Sequence, residues 1–142
     1  MESFRTESQL DPTDADVSPI DRGLHTYNQQ AADLAAIRRF ACYVRDPEGT
    51  LVGGALARWW GTACELQQLW VDEALRRRGI GALLMQRVEA TAIERGCRLI
   101  YLDTFSFQAP EFYYGLGYEI ACQLDGFPDG GSKFILRKAL VN

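Results

Sequence analysis

A mixed α/β domain, built on a sheet of six or seven strands with flanking helices, is what this sequence predicts. Three observations lead there. From Cys64 an apolar run reaches Val71, passes through a short polar turn into a helical pattern over Gly79–Arg95, and is followed by a second apolar run over Arg98–Phe105. Strand, helix and strand at this spacing make a right-handed crossover between parallel strands. Phe40–Arg45 and Leu51–Trp60 flank D-P-E-G, a turn with proline at its second position and glycine at its fourth, which reads as a β-hairpin. Tyr118–Leu124 and Lys133–Leu140 flank D-G-F-P-D-G-G-S and read as an antiparallel pair.

Taken in order, Met1–Asp11 is expected to be a weak first strand or extended arm, and D-P-T-D at Asp11–Asp14 a turn and helix start. Val17 to Phe40 then reads as one or two helices, with Ile20, Leu24, Tyr27, Leu34 and Ile37 as the expected buried positions. Pro19 is expected in an early turn, where it is tolerated. In the hairpin, Gly53 and Gly54 mark a bulge or a close backbone approach, and Trp59 and Trp60 point to opposite faces. In Cys64–Val71 the alternation slips at Gln67-Gln68: Cys64 and Leu66 share one face, Leu69 and Val71 the other. A β-bulge near Gln68 explains the slip, unless the strand is buried on both faces. Ile80, Leu83, Leu84, Val88 and Ala92 make the apolar stripe of the helix, Gln86, Arg87, Glu89 and Glu94 its wet face, and Gly96 its C′ stop. L-I-Y-L is expected in a parallel strand covered on both sides. Ala109–Leu116 is a short helix opened by Pro110 and ended by Gly117.

Composition narrows the function. The chain has 142 residues, 47% of them hydrophobic, which suits a single domain spanning 1–142 that buries roughly 70% of its unfolded surface. A net charge of −4 disfavours nucleic acid as a partner and mildly favours cationic substrates such as amines. No apolar run of about eighteen residues and no charged-then-apolar leader occurs, so no membrane association and a cytoplasmic location are expected. The four cysteines, Cys42, Cys64, Cys97 and Cys122, are scattered without ligand spacing, and His25 is the only histidine. No metal is therefore expected, and His25 reads as a surface residue rather than a triad member.

The chemistry concentrates between Leu66 and Leu84. A strand runs through Arg76, Arg77 and Arg78 into Gly79-Ile80-Gly81-Ala82 at a helix start. Unpaired N–H groups, the helix dipole and small residues make such a start an anion site. It is not a dinucleotide fingerprint, since Leu84 stands at the third glycine position, and no Gly-Lys-Ser/Thr occurs. Because ligands of such open sheets sit beyond the strand ends, Val71–Asp72 and Asp103–Thr104 are expected beside the site.

The motif R-x-x-G-x-G (Arg76–Gly81), followed by A-P-E-F-Y-Y-G-L-G-Y (Ala109–Tyr118), resembles the GNAT-superfamily N-acetyltransferases. The resemblance covers roughly Phe40–Leu136 in element order. L-D-T-F-S-F-Q-A-P-E-F-Y (Leu102–Tyr113) is similar to a small bacterial branch of that superfamily. It implies the GNAT acyl-CoA fold, with a bulged strand splayed from its parallel neighbour, and acetyl-CoA as co-substrate. Backbone amides from Arg76 to Ala82 would hold the pyrophosphate. Leu69, Trp70 and Val71 would meet the acetyl and pantetheine portions. Tyr113 would protonate the departing thiolate, although adjacent Tyr114 also carries a hydroxyl. Ser106 stands where relatives often carry a cofactor-contacting asparagine. Glu65, Asp103 and Glu111 are the candidates to take the amine proton. The implied activity is direct acetyl transfer to a primary amine, of a small molecule rather than a peptide N-terminus or protein lysine; a non-catalytic acyl-CoA sensor is the alternative. A homodimer is also implied, with Trp59, Trp60 and Phe127 compatible with an interface.

Overall fold

The computed structural model describes residues 3–140, in two compact units, Met1–Ala35 and Ala36–Asn142. The first unit is built on one helix, α1 (Asp14–Ala31). Thr13 and Asp16 start it ahead of the expected Val17. The Asp16 N–H donates to Thr13 Oγ1 at 3.2 Å and the Thr13 N–H to Asp16 Oδ2 at 2.9 Å, satisfying donors that would otherwise be orphaned. Pro19 falls inside the helix, in its second turn. The expected strand over Met1–Asp11 does not form in residues 3–11, where Phe4 and Leu10 stay exposed among polar neighbours; Met1 and Glu2 lie outside the described residues. Ile20, Leu24 and Tyr27 are not buried as expected but 69%, 57% and 67% exposed. Their helical spacing makes a stripe, yet one helix has no second layer within its own unit. Leu34 and Ile37 are half-buried.

The second unit is a six-stranded sheet ordered β1-β2-β3-β4-β6-β5. Its strands are β1 (Arg38–Arg45), β2 (Leu51–Trp60), β3 (Ala63–Val71), β4 (Leu99–Phe105), β5 (Glu119–Phe127) and β6 (Gly131–Ala139). Only β3 and β4 are parallel; every other neighbouring pair is antiparallel. The β1–β2 turn closes as read, with the Gly49 N–H on the Asp46 carbonyl at 2.9 Å and Asp46 Oδ1 accepting from Glu48 and Thr50. At Gly53 both readings hold: Val44 faces Gly53 and Arg45 faces Leu51, so Val52 beside it is an extra residue, and a Cβ on Gly53 would stand 3.2 Å from the Trp70 carbonyl and 3.3 Å from Leu84. Trp59 packs against the core while Trp60 is exposed.

The bulge lies where the parity slip put it. Leu56 faces Gln68 and Ala57 faces Leu66, so Gln67 is the extra residue. Cys64, Leu66, Leu69 and Val71 thereby pair with Trp59, Ala57, Ala55 and Gly53 and share one face of the sheet. That face is covered by α2 (Ile80–Glu94), which buries Leu84, Met85, Val88 and Ala92. Met85 replaces Leu83 in the expected stripe, and Leu83 is 55% exposed. At about 100° per residue, Leu84, Met85, Val88 and Ala92 span one arc of roughly 100°, and Leu83 falls outside it. Gly96, at φ +88°, stops the helix. Cys42, Cys64 and Cys97 are buried free thiols and Cys122 is exposed; burial pushes the Cys64 thiol up to about 12.

Glu89, expected on the wet face, instead sits at the margin of the buried arc. Its carboxylate accepts from the Tyr118 hydroxyl at 3.0 Å and from Lys138 Nζ at 2.7 Å, joining α2 to the start of β5 and to β6.

Leu84→Ala is expected to cost about 2–4 kcal/mol of unfolding free energy and Leu83→Ala less than about 1 kcal/mol, measured by urea denaturation. Equal losses would contradict the observed face of α2.

Candidate active site

Parallel pairing of β3 and β4 is confined to Ala63–Glu65 against Leu99–Tyr101. Beyond it comes Gln67, where β3 bends as bulged strands do, and from there to Val71 the edge facing β4 has no strand partner. Two clefts meet at this parting. The larger, about 830 Å³, is walled by Leu69, Trp70 and Val71 on one side and by Phe107, Gln108, Ala109, Phe112 and Tyr113 on the other. Its floor is the turn into α2, with Leu75, Arg76, Arg77, Gly79, Ile80, Gly81 and Ala82. The smaller, about 300 Å³, lies between the parted strands, lined by Leu66, Gln67, Gln68, Leu69, Leu102, Asp103, Thr104, Gln108 and Tyr113.

The floor gathers unpaired backbone donors. A 3-10 turn over Glu73–Leu75 is capped by Asp72, whose Oδ1 accepts from the Ala74 N–H at 3.1 Å. Arg76 Nε donates to the Val71 carbonyl at 3.2 Å, tying the turn to the end of β3. Arg77 (φ +63°) and Gly79 (φ +81°) both take left-handed backbone, the alternation that turns successive N–H groups into one concavity. From Arg77 to Ala82 no N–H donates to a backbone carbonyl among the described residues, as the first turn of a helix requires. Among those residues Arg76, Arg77 and Arg78 also have no carboxylate partner. Unpaired donors, the guanidiniums of Arg76 and Arg77, which line the cleft while Arg78 does not, and the positive end of a 15-residue helix together favour a phosphate-like group. The two glycines serve different ends. Gly79 permits the left-handed cap, whereas a Cβ on Gly81 would stand 3.1 Å from the Phe112 ring, so Gly81 lets the residue beside Tyr113 close on α2.

Tyr113 lines both clefts. It lies on the single helical turn α3 (Glu111–Tyr114), with its ring edge-on between Phe112 (5.0 Å, 74°) and Tyr118 (5.7 Å, 74°). Burial raises its phenol above the ordinary value, so the hydroxyl keeps its proton at neutral pH. Tyr114 is exposed and lines neither cleft. Of the three candidate carboxylates, Asp103 alone lines a cleft, 4.0 Å from Lys133 Nζ. Glu65 receives Arg58 Nε at 2.6 Å and lies on the opposite sheet face from Leu66, beside neither cleft. Glu111 is exposed outside both. The Ser106 hydroxyl accepts from the Ser132 N–H at 3.1 Å and holds the β4 end to β6 instead of lining the cleft.

Five residues that line the larger cleft were not among the candidate site residues of the sequence: Leu75, Phe107, Gln108, Ala109 and Phe112. Gln108 caps its own turn, its side-chain oxygen accepting from the Phe105 N–H at 2.9 Å. The left-handed Ala109 (φ +57°) then aims the chain into α3. No motif announces such a turn. Among the described residues no cluster of potential metal ligands occurs, and no helix is long and apolar enough to cross a membrane.

A mixed sheet that parts beside a bulged strand, with a helix start of unpaired N–H groups at the parting, is the arrangement that the resemblance to the GNAT superfamily implies. Residues 7–118 match the family described as the acetyltransferase (GNAT) family. The chain is 35% identical over 125 residues to blasticidin-S acetyltransferase of Streptomyces morookaense, covering 87% of this chain and 90% of that one. It is 32% identical over 98 residues to an acetyltransferase of Agrobacterium fabrum, covering 67% and 69%. The crystal structure of an acetyltransferase from Bacillus cereus superposes with a TM-score of 0.77 at 32% identity, over 94% of this chain and 97% of that one. This chain belongs to the GNAT family of acetyltransferases.

Tyr118 carries a pH prediction. Burial, then the adjoining Glu89 carboxylate, raise its phenol far above the ordinary 10. Unfolded, it ionises near 10 while the folded group keeps its proton, so above that pH the unfolded state holds fewer protons and is favoured. Stability is expected to be unaffected by this group below about pH 10 and to fall as pH climbs further. Urea midpoints at pH 8 and pH 11 should drop less between the two in Tyr118→Phe than in the wild type.

Proposed function

We propose that this acetyltransferase moves the acetyl group of acetyl-CoA to a primary amine of a small molecule by direct attack in a ternary complex. The observation that carries the proposal is the position of Tyr113, its ring on the boundary of a cationic cleft and a polar one. In this scheme the N–H groups of Arg77–Ala82, with the arginine guanidiniums, hold the pyrophosphate. The unpaired edge of β3 at Leu69–Val71 receives the pantetheine arm, and its backbone N–H groups polarise the thioester carbonyl. An acceptor amine is protonated at neutral pH, with a pKa near ~10. Asp103, the carboxylate that lines the second cleft, takes that proton directly or through water. As the new C–N bond forms and the C–S bond breaks, Tyr113, whose phenol is protonated at neutral pH, gives its proton to the sulfur. Similarity to a blasticidin-S acetyltransferase over 87% of the chain supports a small molecule as acceptor, and the polar lining with Asp103 supports a cationic one.

Calorimetry should show micromolar binding of acetyl-CoA and CoA, abolished by Gly81→Glu, which drives Phe112 off the helix start and places a negative charge there. Absence of heat at millimolar ligand would sink the pyrophosphate assignment. In a panel of amines followed by release of free thiol, Tyr113→Phe is expected to lower kcat by about 10²-fold or more with CoA affinity unchanged within about twofold. Saturable CoA binding with no turnover in wild type and variant alike would replace the catalytic reading with that of a sensor.

A further inference from the structure

We propose that Glu89, Lys138 and Tyr118 act together as a clamp that positions Tyr113 for proton delivery. The inference rests on the reading of Tyr113 as the acid. None of the three residues lines either cleft, so they act through Tyr113 and do not touch the substrates.

The residue to be positioned sits on a helix of four residues, Glu111–Tyr114, too short to hold a geometry alone. Its placement must come from neighbours, and two routes lead to the same cluster. The Tyr113 carbonyl accepts from the Leu116 N–H at 3.0 Å and from the Tyr118 N–H at 3.1 Å, while the Tyr113 ring meets the edge of the Tyr118 ring. Both of those neighbours are anchored. Lys138 Nζ donates to the Leu116 carbonyl at 2.7 Å and to Glu89 Oε1 at 2.7 Å, and lies 5.6 Å from the Tyr118 ring centroid. The Tyr118 hydroxyl donates to Glu89 Oε2 at 3.0 Å. Gly117, at φ +94°, lets the chain turn directly over the lysine stem, which a Cβ there would meet at 3.5 Å.

Thus one carboxylate on α2, the helix that also supplies the anion-binding floor, holds both the lysine and the tyrosine that fix α3. A partly buried ion pair such as this contributes little net stability. What the arrangement does supply is a rigid distance between the floor and the Tyr113 hydroxyl, because Glu89 and Gly81 belong to the same helix. A proton donor misplaced by about 1 Å loses much of its effect.

The test is a kinetic double-mutant cycle on the full chain, with acetyl-CoA and the best amine of the panel. Glu89→Gln is expected to lower kcat about tenfold while KM for acetyl-CoA and the calorimetric affinity for CoA stay within about twofold. In a Tyr113→Phe background the same change should alter kcat less than about twofold, since no acid remains to be positioned; a structural role would reduce both backgrounds alike. Should Glu89→Gln fail to fold, Tyr118→Phe, which keeps the ring and removes one hydrogen bond, takes its place with the same expectation. Unchanged kcat in the folded single variant, equal losses in both backgrounds, or parallel loss of CoA binding would overturn the clamp and leave the acid role of Tyr113 standing. Full activity in Tyr113→Phe alone would overturn the acid role and the clamp together.

Discussion

Everything at the candidate site depends on a single extra residue in β3. Gln67 has no opposite number on β2, and a strand that carries such a residue bends and twists more strongly than its neighbours. The strand is paired on both sides as far as Glu65 and on one side only beyond it. The unpaired edge costs backbone hydrogen bonds, which in a sheet interior is tolerated only where something else meets them. The same insertion returns Leu69 and Val71 to the face of Cys64 and Leu66, so the core gains apolar surface on the far side of the break. One residue thus opens the cleft and preserves the layer behind it.

The helix α2 is the second structural commitment. Its buried arc, Leu84, Met85, Val88 and Ala92, contributes on the order of 1.5–3 kcal/mol for each large side chain removed from water. That burial anchors the N-terminal turn against the sheet. Positive backbone charge at the floor is therefore placed by hydrophobic packing several residues away. Gly81 lies on the buried side of the same helix and faces the Phe112 ring, so the floor and the turn bearing Tyr113 are packed on one another. Glu89 makes a second link, in polar groups, from the middle of the helix.

Much of this was legible in the residues. The hairpin, the crossover, the parity slip at Gln67-Gln68 and the Arg76–Gly81 helix start are local patterns, and each appears in the structure within a few residues of its expected place. The local signals misled where a pattern was necessary without being sufficient. Ile20, Leu24 and Tyr27 have a helical stripe and remain exposed, because spacing states which residues can be buried together and not whether a surface waits to cover them. Leu83 and Met85 exchanged places because an apolar arc of about 100° can be drawn either way until the sheet beneath it is known.

The sequence by itself determined the elements, their order, the bulge and the glycine-arginine turn, since these follow from side-chain period, turn chemistry and backbone freedom over a few neighbouring residues. Only the tertiary structure decided which carboxylate faces a cleft. Glu65, Asp103 and Glu111 are alike as sequence, and what separates them is the strand face, an ion pair with Arg58 and exposure on α3. Likewise Glu89, Tyr118 and Lys138 stand up to 49 residues apart along the chain. No local rule brings them together, because their meeting is set by how α2 and β6 pack in three dimensions.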